Sequence, residues 1–296
     1  MNVEDVNVNG QVRISIGIPV YNGEASLEQA LRSIDSQSFH DYEVIISDNA
    51  STDNTAQICR EMAAINPRVK YFRQENNIGA AANFKFVLDK AVGEYFHWLA
   101  ADDTRSSNFL ELNINFLDEN VDHVASTCPN RFKGQAEADN VTFSLVGTPA
   151  ERFASFMDHC WQSQAVYYSV VRTAILRQCD VIGQSFWAVD WAIDLFLASR
   201  GNINRTDDGW LELGVSGASS GADAWRVLRS GRIEAVLPFF TFSAHALKLA
   251  KPFPLADRLS LLSRLVVLNW RGAYGKAFTA LYQRYKAGLR PMRRGN

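Results

Sequence analysis

The segment RISIGIPVYNGEASLEQALRSI, residues 13–34, decides the fold because it contains a complete strand–turn–helix pattern. Its first part, RISIGI (13–18), is a β-branched run typical of a buried strand, and we expect Pro19 to end that strand. Its last part, SLEQALRSI (26–34), places four apolar side chains on one helical face: Leu27, Ala30, Leu31 and Ile34. The segment therefore predicts a βα unit.

Strand and helix patterns continue to alternate as far as residue 103. Further strands are predicted at EVIIS (43–47), VKYF (69–72) and EYFHWLA (94–100), and further helices at TAQICREMAAI (55–65) and AAANFKFVLDKAV (80–92). This alternation predicts a mostly parallel sheet covered by helices. Ligands bind such sheets beyond the carboxyl ends of the strands, where every predicted strand has polar or turn residues. We therefore expect the four strand ends to converge on one site.

Two adjacent carboxylates, Asp102 and Asp103, follow the fourth predicted strand. Such a pair can hold a hard divalent cation, Mg²⁺ or Mn²⁺, and offer it to a diphosphate. It can equally be the N-cap of the helix predicted at NFLELNINFL (108–117). Asp48, which follows the second strand, is likewise either a turn residue or the acceptor of a hydrogen bond from a ligand N–H.

Three ordered segments together resemble the nucleotide-sugar half of the family 2 inverting glycosyltransferases. They are SIGIPVYNGEASLEQALRSIDSQSFHDYEVIISDNASTDNT (15–55), NNIGAAANF (76–84) and GEYFHWLAADD (93–103). The resemblance implies an α/β fold of the GT-A, Rossmann-like type. Its mostly parallel central sheet would be flanked by helices and followed by a helix-rich acceptor part and C-terminal helices.

The resemblance also implies roles for individual residues. Those expected to contact the nucleotide sugar are Pro19, Tyr21, Glu24, Asp48, Asn76, Gly79, Asn83 and Asp102. Asp48 would accept a hydrogen bond from the base, and Asp102 falls on the metal-binding carboxylate of the family's D-x-D element. Asp103 is its neighbour, which would bind the metal through water or cap the helix. Ala100 departs from the pattern, because the family usually has an acid there, and this predicts rearranged or weaker nucleotide contacts.

The second half of the chain offers two more candidates. SFWAVDWAIDLFLASRGN (185–202) resembles the family's helix that carries the catalytic base, and Asp190 is the matching residue. Asp194 is a local rival because it lies one helical turn later, and both could instead face solvent on an amphipathic helix. His245 resembles a late histidine of the family that follows a strand and returns to the metal or the diphosphate. A structural role is the alternative for His245, and His97 is expected to lie in the core.

The reaction that the resemblance implies is a single displacement with inversion at the anomeric carbon. A divalent metal and nearby N–H groups would stabilise the departing nucleoside diphosphate while Asp190 takes the acceptor proton. The donor would be a nucleotide-diphospho-sugar, and the acceptor a glycan or a lipid-linked glycan.

Composition and charge exclude several classes of protein. With 47% hydrophobic and 21% charged residues, the 296-residue chain is typical of a globular protein rather than a disordered one. It has no signal-peptide pattern at the N terminus and no uncharged apolar run of roughly 18 residues. The four cysteines show no CxxC spacing, which favours reduced core thiols. We therefore expect a cytoplasmic protein without a nucleic-acid partner.

The C-terminal segment is strongly basic, since residues 251–296 hold ten basic side chains and a single acid, Asp257. A helix pair lying on the anionic inner face of a membrane has this composition. Helices that pack on the catalytic domain, or on a second subunit in a homo-oligomer, have the same composition. We expect three parts: a nucleotide-sugar half (1–128), an acceptor half (129–250) and the basic C-terminal helices (251–296). The Gly/Ser-rich GVSGASSGAD (214–223) is expected to be a lid or a passive surface loop.

Two other classes of enzyme and one class of binding protein compete with this interpretation. A sugar-1-phosphate nucleotidyltransferase would carry a glycine- and arginine-rich phosphate loop where this chain has PVYNGE, and a Rossmann dehydrogenase would carry G-x-G-x-x-G there. A non-catalytic nucleotide-sugar-binding protein is the third possibility, and Ala100 is the feature that favours it.

Overall fold

The computed structural model describes residues 12–134, 143–160, 166–214 and 231–288, with the backbone alone for 276–288. Its strands are β1 (Ile14–Val20), β2 (Tyr42–Asp48), β3 (Val69–Arg73), β4 (Tyr95–Trp98), β5 (Thr104–Arg105), β6 (His123–Thr127), β7 (Asn130–Phe132), β8 (Val170–Arg172), β9 (Asn202–Arg205) and β10 (Leu211–Leu213). Its helices are α1 (Leu27–Asp35), α2 (Thr55–Ile65), α3 (Ala80–Lys90), α4 (Phe109–Glu119), α5 (Pro149–His159), α6 (Thr173–Leu176), α7 (Val189–Arg200), α8 (Phe240–Leu249) and α9 (Leu255–Gly288).

The main sheet has seven strands in the order β3-β2-β1-β4-β8-β6-β9. All neighbouring pairs are parallel except those of β8, which runs antiparallel to both β4 and β6. β1 and β2 are buried at every position, as strands covered by helices on both faces must be. The predicted alternation of strands and helices is therefore confirmed, and the ends of β1, β2, β3 and β4 meet at one edge.

Pro19 does not end β1, contrary to the expectation from sequence, because the strand continues to Val20. Gly17 O accepts from Leu99 N, so the backbone polar groups of Gly17 point toward β4. Because this direction alternates along a strand, the backbone N atom of Pro19 points to the same side. Pairing between β1 and β4 stops at Gly17 and Trp98. The N–H group that Pro19 lacks is therefore not needed by any neighbouring strand.

A second, three-stranded sheet has the order β5-β10-β7 and lies just beyond the end of β4. β5 pairs with β10 through Leu211 and Glu212, which brings the chain near residue 214 next to the turn at 101–103. Helix α4 begins after Asn108, so the alternative in which Asp102 and Asp103 cap that helix is wrong. These two carboxylates instead precede a short strand.

The segment before His245 is helical and not a strand. Its apolar side chains that face the core are Phe239, Phe242, Ala246 and Ala250, whose spacing of three or four is that of a helix. A single 3-10 turn (Ile233–Ala235) precedes α8. The C-terminal segment forms one long helix, α9, where the sequence analysis expected a pair.

The larger core cluster continues from the sheet to the C-terminal helix, since Phe96, Phe156 and Leu265 all belong to it. The predicted domain boundaries at residues 128 and 250 stay predictions. Apart from Gly214, the loop predicted at 214–223 lies outside the described residues. No helix in the described ranges is both long and apolar enough to cross a bilayer.

Candidate functional site

The loops that follow β1 and β2 are fastened to each other by hydrogen bonds. Asn22 Oδ1 accepts from Thr52 N at 2.8 Å, and Glu24 Oε2 accepts from Asn54 N at 2.9 Å. Asn22 and Ala50 both have positive φ angles, of 51° and 61°, a conformation that non-glycine residues adopt only when neighbouring contacts enforce it. The two loops therefore form a rigid rim at the edge of the sheet.

Three of the residues predicted to contact the nucleotide lie on or beside this rim. Pro19 is buried in β1, whereas the Tyr21 side chain is 51% exposed and is available to a ligand. Glu24 is exposed, but its carboxylate already accepts the hydrogen bond from Asn54 and so holds the rim together.

Asp48 is fully buried at the end of β2. Its Oδ1 atom accepts from Ser51 N at 2.8 Å, while Oδ2 accepts from Tyr71 Oη at 3.0 Å and from Arg73 Nη1 at 2.7 Å. Burial is the largest of the effects that raise the pKa of Tyr71, to about 12, so the phenol stays a hydrogen-bond donor. Arg73, which is exposed, lies between this carboxylate and solvent, so a base that contacts Asp48 must meet Arg73 as well.

The segment from Asn76 to Asn83 enters α3 with a sharp change of direction. Gly79 is the N-cap of α3 and has a φ angle of 84°. No atom lies within 4 Å of a Cβ built at this position, so glycine is required by the backbone conformation and not by crowding. Asn76 is exposed beside it. Asn83 is buried, with Oδ1 accepting from Ser47 Oγ at 2.6 Å and Nδ2 donating to Ser47 O at 2.9 Å. Asn83 therefore ties α3 to the end of β2.

The two carboxylates after β4 have different surroundings. Asp102 is partly exposed, and a Cβ built on Gly214 would lie 2.0 Å from its Oδ2 atom. Asp103 is buried, accepts from Gly214 N at 2.8 Å and pairs with Arg105 at 3.3 Å. Burial, the largest influence, raises the pKa of Asp103, although the charge of Arg105 opposes the rise. Asp102 is thus the carboxylate presented at the surface, and Asp103 anchors the turn beneath it.

A buried chain of hydrogen bonds supports this turn from below. Arg105 Nε donates to His97 Nε2 at 3.1 Å, so His97 is neutral and its Nδ1 donates to Ser169 O at 3.3 Å. Burial first, and the charge of Arg105 second, keep the pKa of His97 well below its ordinary value. The prediction that His97 belongs to the core is confirmed.

Asp190 lies in the first turn of α7, two residues after a strained residue. Ala188, the N-cap, has a φ of 65°, the third positive value among the non-glycine residues in the described ranges. Burial is the main influence on Asp190 and raises the pKa of its carboxyl group. Asp194 is 1% exposed and its Oδ1 atom has no hydrogen-bond partner. The alternative in which both acids face solvent on an amphipathic helix is therefore wrong.

Tyr168 links the two groups of acids. Burial is the chief cause that raises the pKa of its phenol, and the charges of Asp103, Asp190 and Asp102 act on it in the same direction. Arg105 also lies over its ring, at 5.8 Å from the centroid. The turn at 102–103 and the start of α7 therefore lie within electrostatic reach of one side chain.

His245 lies within α8 and not after a strand. Its ring stacks on Phe186, with centroids 5.5 Å apart and an interplanar angle of 10°. Burial lowers the pKa of His245, while the nearby charge of Asp180 opposes this. Within the described part of the chain, no three side chains among His, Cys, Asp and Glu are placed to hold a metal ion, so His245, Asp102 and Asp103 are not gathered into such a group.

Sequence reasoning did not single out Arg105, Tyr168 or Gly214. The position of Arg105 two residues after Asp103 was visible, but nothing in the polar segment DDTRSS indicates that the arginine is buried. Gly214 and Tyr168 come from distant parts of the chain, and only the pairing of β5 with β10 and of β4 with β8 brings them to the turn.

Comparison with known proteins identifies the family to which this chain belongs. A sequence model described as Glycosyl transferase family 2 matches residues 15–180, which is more than half of the chain. The chain belongs to glycosyl transferase family 2. This member of the family is 33% identical over 117 residues to the GalNAc(5)-diNAcBac-PP-undecaprenol beta-1,3-glucosyltransferase of Campylobacter jejuni, a match over 39% of this chain and 38% of that protein. The chain spans 38% to 46% of the length of three curated relatives that it matches.

Solved structures of glycosyltransferases share the fold of this family 2 member. One is S. aureus TarS 1–349 in complex with UDP-GlcNAc, with a TM-score of 0.68, 19% identity, and coverage of 90% of this chain and 75% of that chain. Another is the mannosyltransferase PcManGT from Pyrobaculum calidifontis in complex with GDP-Man and Mn²⁺, with a TM-score of 0.54, 18% identity, and coverage of 94% and 83%. The predicted α/β fold of the GT-A type is confirmed.

Proposed function

We propose that this family 2 member is an inverting glycosyltransferase that moves a sugar from a nucleotide-diphospho-sugar to a hydroxyl group of a glycan or lipid-linked glycan. The observation that carries the proposal is the match of residues 15–180 to the glycosyl transferase family 2 model. Transfer needs a diphosphate site and an acceptor base on opposite sides of one sugar ring. The charges of Asp102 and Asp190 both raise the pKa of the Tyr168 phenol, which supports a placement of these two acids around one site.

The donor would bind along the rim formed by the loops after β1, β2 and β3. Tyr21 offers an exposed ring to a base or ribose, and Asn76 and Gly79 lie where α3 begins. Pro19, Glu24, Asp48 and Asn83 would act by fixing the shape of this rim, because each is buried or already engaged in hydrogen bonds within the chain. The structures of TarS with UDP-GlcNAc and of PcManGT with GDP-Man favour a nucleotide-sugar donor.

Asp102 would hold a divalent metal, Mn²⁺ or Mg²⁺. Its side chain is partly exposed, and its carboxylate occupies the space that a side chain at position 214 would fill. Hard cations of this kind are often bound through one or two carboxylates together with substrate phosphates and water, so a single presented carboxylate suits them. When bound, the cation would neutralise charge that grows on the departing diphosphate. Asp103 would keep Asp102 in place through Arg105 and Gly214 N, and His245 is left out because it stacks on Phe186.

Asp190 would take the proton from the acceptor hydroxyl as it attacks the anomeric carbon. A base needs an elevated pKa to accept a proton near neutral pH, and burial raises the pKa of Asp190 in that direction. The bond to the leaving diphosphate breaks as the new glycosidic bond forms, so the configuration inverts and no covalent enzyme intermediate arises. The relative from Campylobacter jejuni is named for an undecaprenol-linked acceptor, which favours a lipid-linked glycan and peripheral contact with a membrane here.

Release of nucleoside diphosphate tests the proposal. Purified protein is incubated with Mn²⁺, UDP-, GDP- and dTDP-sugars and a panel of glycan and undecaprenyl-linked acceptors. We expect acceptor-dependent release that Asp190→Asn lowers by between about 10²- and 10⁴-fold, with unchanged nucleotide affinity. Asp89→Asn is the matched control, since Asp89 is an exposed acid on α3 paired with Lys85. Full activity of Asp190→Asn would contradict the assignment of the base.

The main competitor is a binding protein that retains the cleft without turnover. Ala100 favours it, since the acid that the family usually has at this position is missing. Nucleotide binding without release for any donor and acceptor pair would select this alternative.

A further inference from the structure

The outward face of α9 carries a continuous stripe of apolar side chains. Of the 17 large apolar side chains that are exposed in the described residues, seven are on this helix: Leu255 (69%), Leu259 (57%), Leu262 (44%), Val266 (62%), Val267 (48%), Trp270 (53%) and Tyr274 (51%). Most follow one another at intervals of three or four, which places them on one helical face. Single exposed apolar residues are common, but a concentrated patch indicates an interaction surface.

The opposite face of α9 is fixed to the catalytic domain. Leu261, Leu265 and Leu268 are between 2% and 4% exposed and belong to the large core cluster. Asn269 Oδ1 accepts from Phe239 N at 2.9 Å, and Arg264 pairs with Asp158 at 3.0 Å. The helix therefore cannot rotate its outward stripe into the core without losing these contacts.

Apolar side chains of the preceding segment lie next to α9. Ile233, Val236, Leu237 and Phe240 are between 41% and 59% exposed. The segment that carries them touches α9, because Phe239 and Pro238 lie within 3.5 Å of a Cβ built on Gly272. Gly272 lies on the same side of α9 as the buried Leu261, Leu265 and Leu268, so this segment packs on the inward face of the helix.

The charge around the stripe is mainly positive. Arg258 and Arg271 are exposed on α9 and, at 100° per residue, lie on opposite flanks of the stripe. Residues 251–296 contribute ten basic side chains against one acid, Asp257. Apolar side chains flanked by arginine are characteristic of helices that lie in the interface of an anionic membrane. A second copy of the chain would bring two strongly basic segments together, which repel each other.

We propose that the outward face of α9 docks on the surface of an anionic lipid leaflet, with the helix parallel to the membrane plane. The stripe would enter the boundary between headgroups and acyl chains, while Arg258 and Arg271 contact the anionic headgroups. The inference rests on the outward face of α9 alone and does not depend on glycosyl transfer.

Vesicle sedimentation of the full chain tests this surface. Vesicles of phosphatidylcholine with phosphatidylglycerol are compared with vesicles of phosphatidylcholine alone. The triple variant Leu259→Gln, Val266→Gln, Trp270→Gln alters side chains that are 57%, 62% and 53% exposed, so the fold is expected to persist. The matched control is Ile65→Gln, Val92→Gln, Val121→Gln, which alters exposed apolar residues elsewhere (76%, 46% and 86%). Thermal unfolding of each variant confirms that it is folded.

We expect the wild type and the control to sediment with the anionic vesicles and the triple variant to partition at least about tenfold less. Arg258→Gln with Arg271→Gln should weaken binding and reduce its dependence on salt. Equal sedimentation of the wild type with both kinds of vesicle, or full binding of the triple variant, would overturn the proposal. A wild-type dimer that the triple variant converts to a monomer, without vesicle binding, would assign the face to a second copy and overturn it as well.

Discussion

Asp194 is a carboxyl group placed in the interior, and it makes the stability of the protein depend on pH. Burial, and secondarily the charge of Asp190, raise its pKa well above the ordinary value of about 3.9. At a pH between the pKa of Asp194 in the unfolded chain and its pKa in the native protein, the unfolded chain has released the proton of this carboxyl group and the native protein retains it. The stability that this group contributes is therefore complete below about pH 4 and is lost as pH rises through the native pKa.

Replacement of Asp194 by Asn should remove this dependence. At pH 7 to 8 we expect Asp194→Asn to have a free energy of unfolding about 1 to 3 kcal/mol higher than the wild type, because Asn does not ionise in the unfolded chain. The advantage should shrink toward pH 4. Urea unfolding measured across this range checks the prediction, and parallel curves for the two proteins would count against it.

Gly214 determines how much room the Asp102 carboxylate has. A Cβ at this position would lie 2.0 Å from Oδ2 and 2.7 Å from Cβ of Asp102, so Gly214→Ala has to displace that side chain. We expect the variant to bind nucleoside diphosphate with Mn²⁺ at least about tenfold more weakly, because a hard cation depends on the position of its carboxylate ligand. Gly231→Ala is the control, since nothing lies within 4 Å of a side chain at that position. Equal affinity in Gly214→Ala and the wild type would contradict the role of Asp102.

At the scale of elements, Arg105 of β5 ties β4 to the turn at residues 101–103, beside the candidate site. Its guanidinium contacts His97, Asp103 and the Thr104 carbonyl, and it is 2% exposed. Removing one partner of a buried ion pair leaves the other charge uncompensated. Arg105→Met should therefore lower the free energy of unfolding by about 3 to 5 kcal/mol in urea.

The exposed pair Lys248–Asp180 provides the comparison for Arg105. Both side chains are well solvated, so Lys248→Met should change stability by less than about 1 kcal/mol. Similar losses in the two variants would mean that the buried network adds no particular stability.

The sequence was sufficient for elements whose hydrophobic period is local and was insufficient for those formed by distant pairing. Helices α1 to α3 and strands β1 to β4 follow from apolar spacing and β-branched runs, and the predicted bounds of α2 agree with the structure. The sheet of β5, β10 and β7 consists of strands of two or three residues, too short to have a period. Helix α8 was misassigned because its phenylalanines suit a strand by composition although their spacing is helical.

The residues of the candidate site also differ in whether a local sequence pattern or only the folded structure reveals them. Asp102 and Asp190 are proposed from ordered motifs, and their roles stay predictions. The burial of Asp48, Asn83 and Asp103 could not be predicted from the sequence. A polar side chain looks the same in sequence whether it contacts a ligand or satisfies a buried backbone group.

At the scale of the whole molecule, the seven-stranded sheet carries the two halves of the proposed reaction on one edge. The residues proposed to bind the donor follow β1 to β4, and Asp190 lies in the first turn of α7, which leads into β9 of the same sheet. α9 packs on the larger core cluster through Leu261, Leu265 and Leu268. A single rigid body would therefore place the donor rim, the acceptor base and the outward stripe in fixed relation.

Calorimetric titration of UDP, GDP and dTDP into the purified protein, with Mn²⁺ and again with EDTA, tests the central claim most directly. We predict that one of the three binds, that EDTA weakens its binding, and that Asp102→Asn removes the difference between the two conditions. No binding of any of the three nucleotides in either condition would contradict the proposal that the edge formed by β1 to β4 is a nucleotide-sugar site.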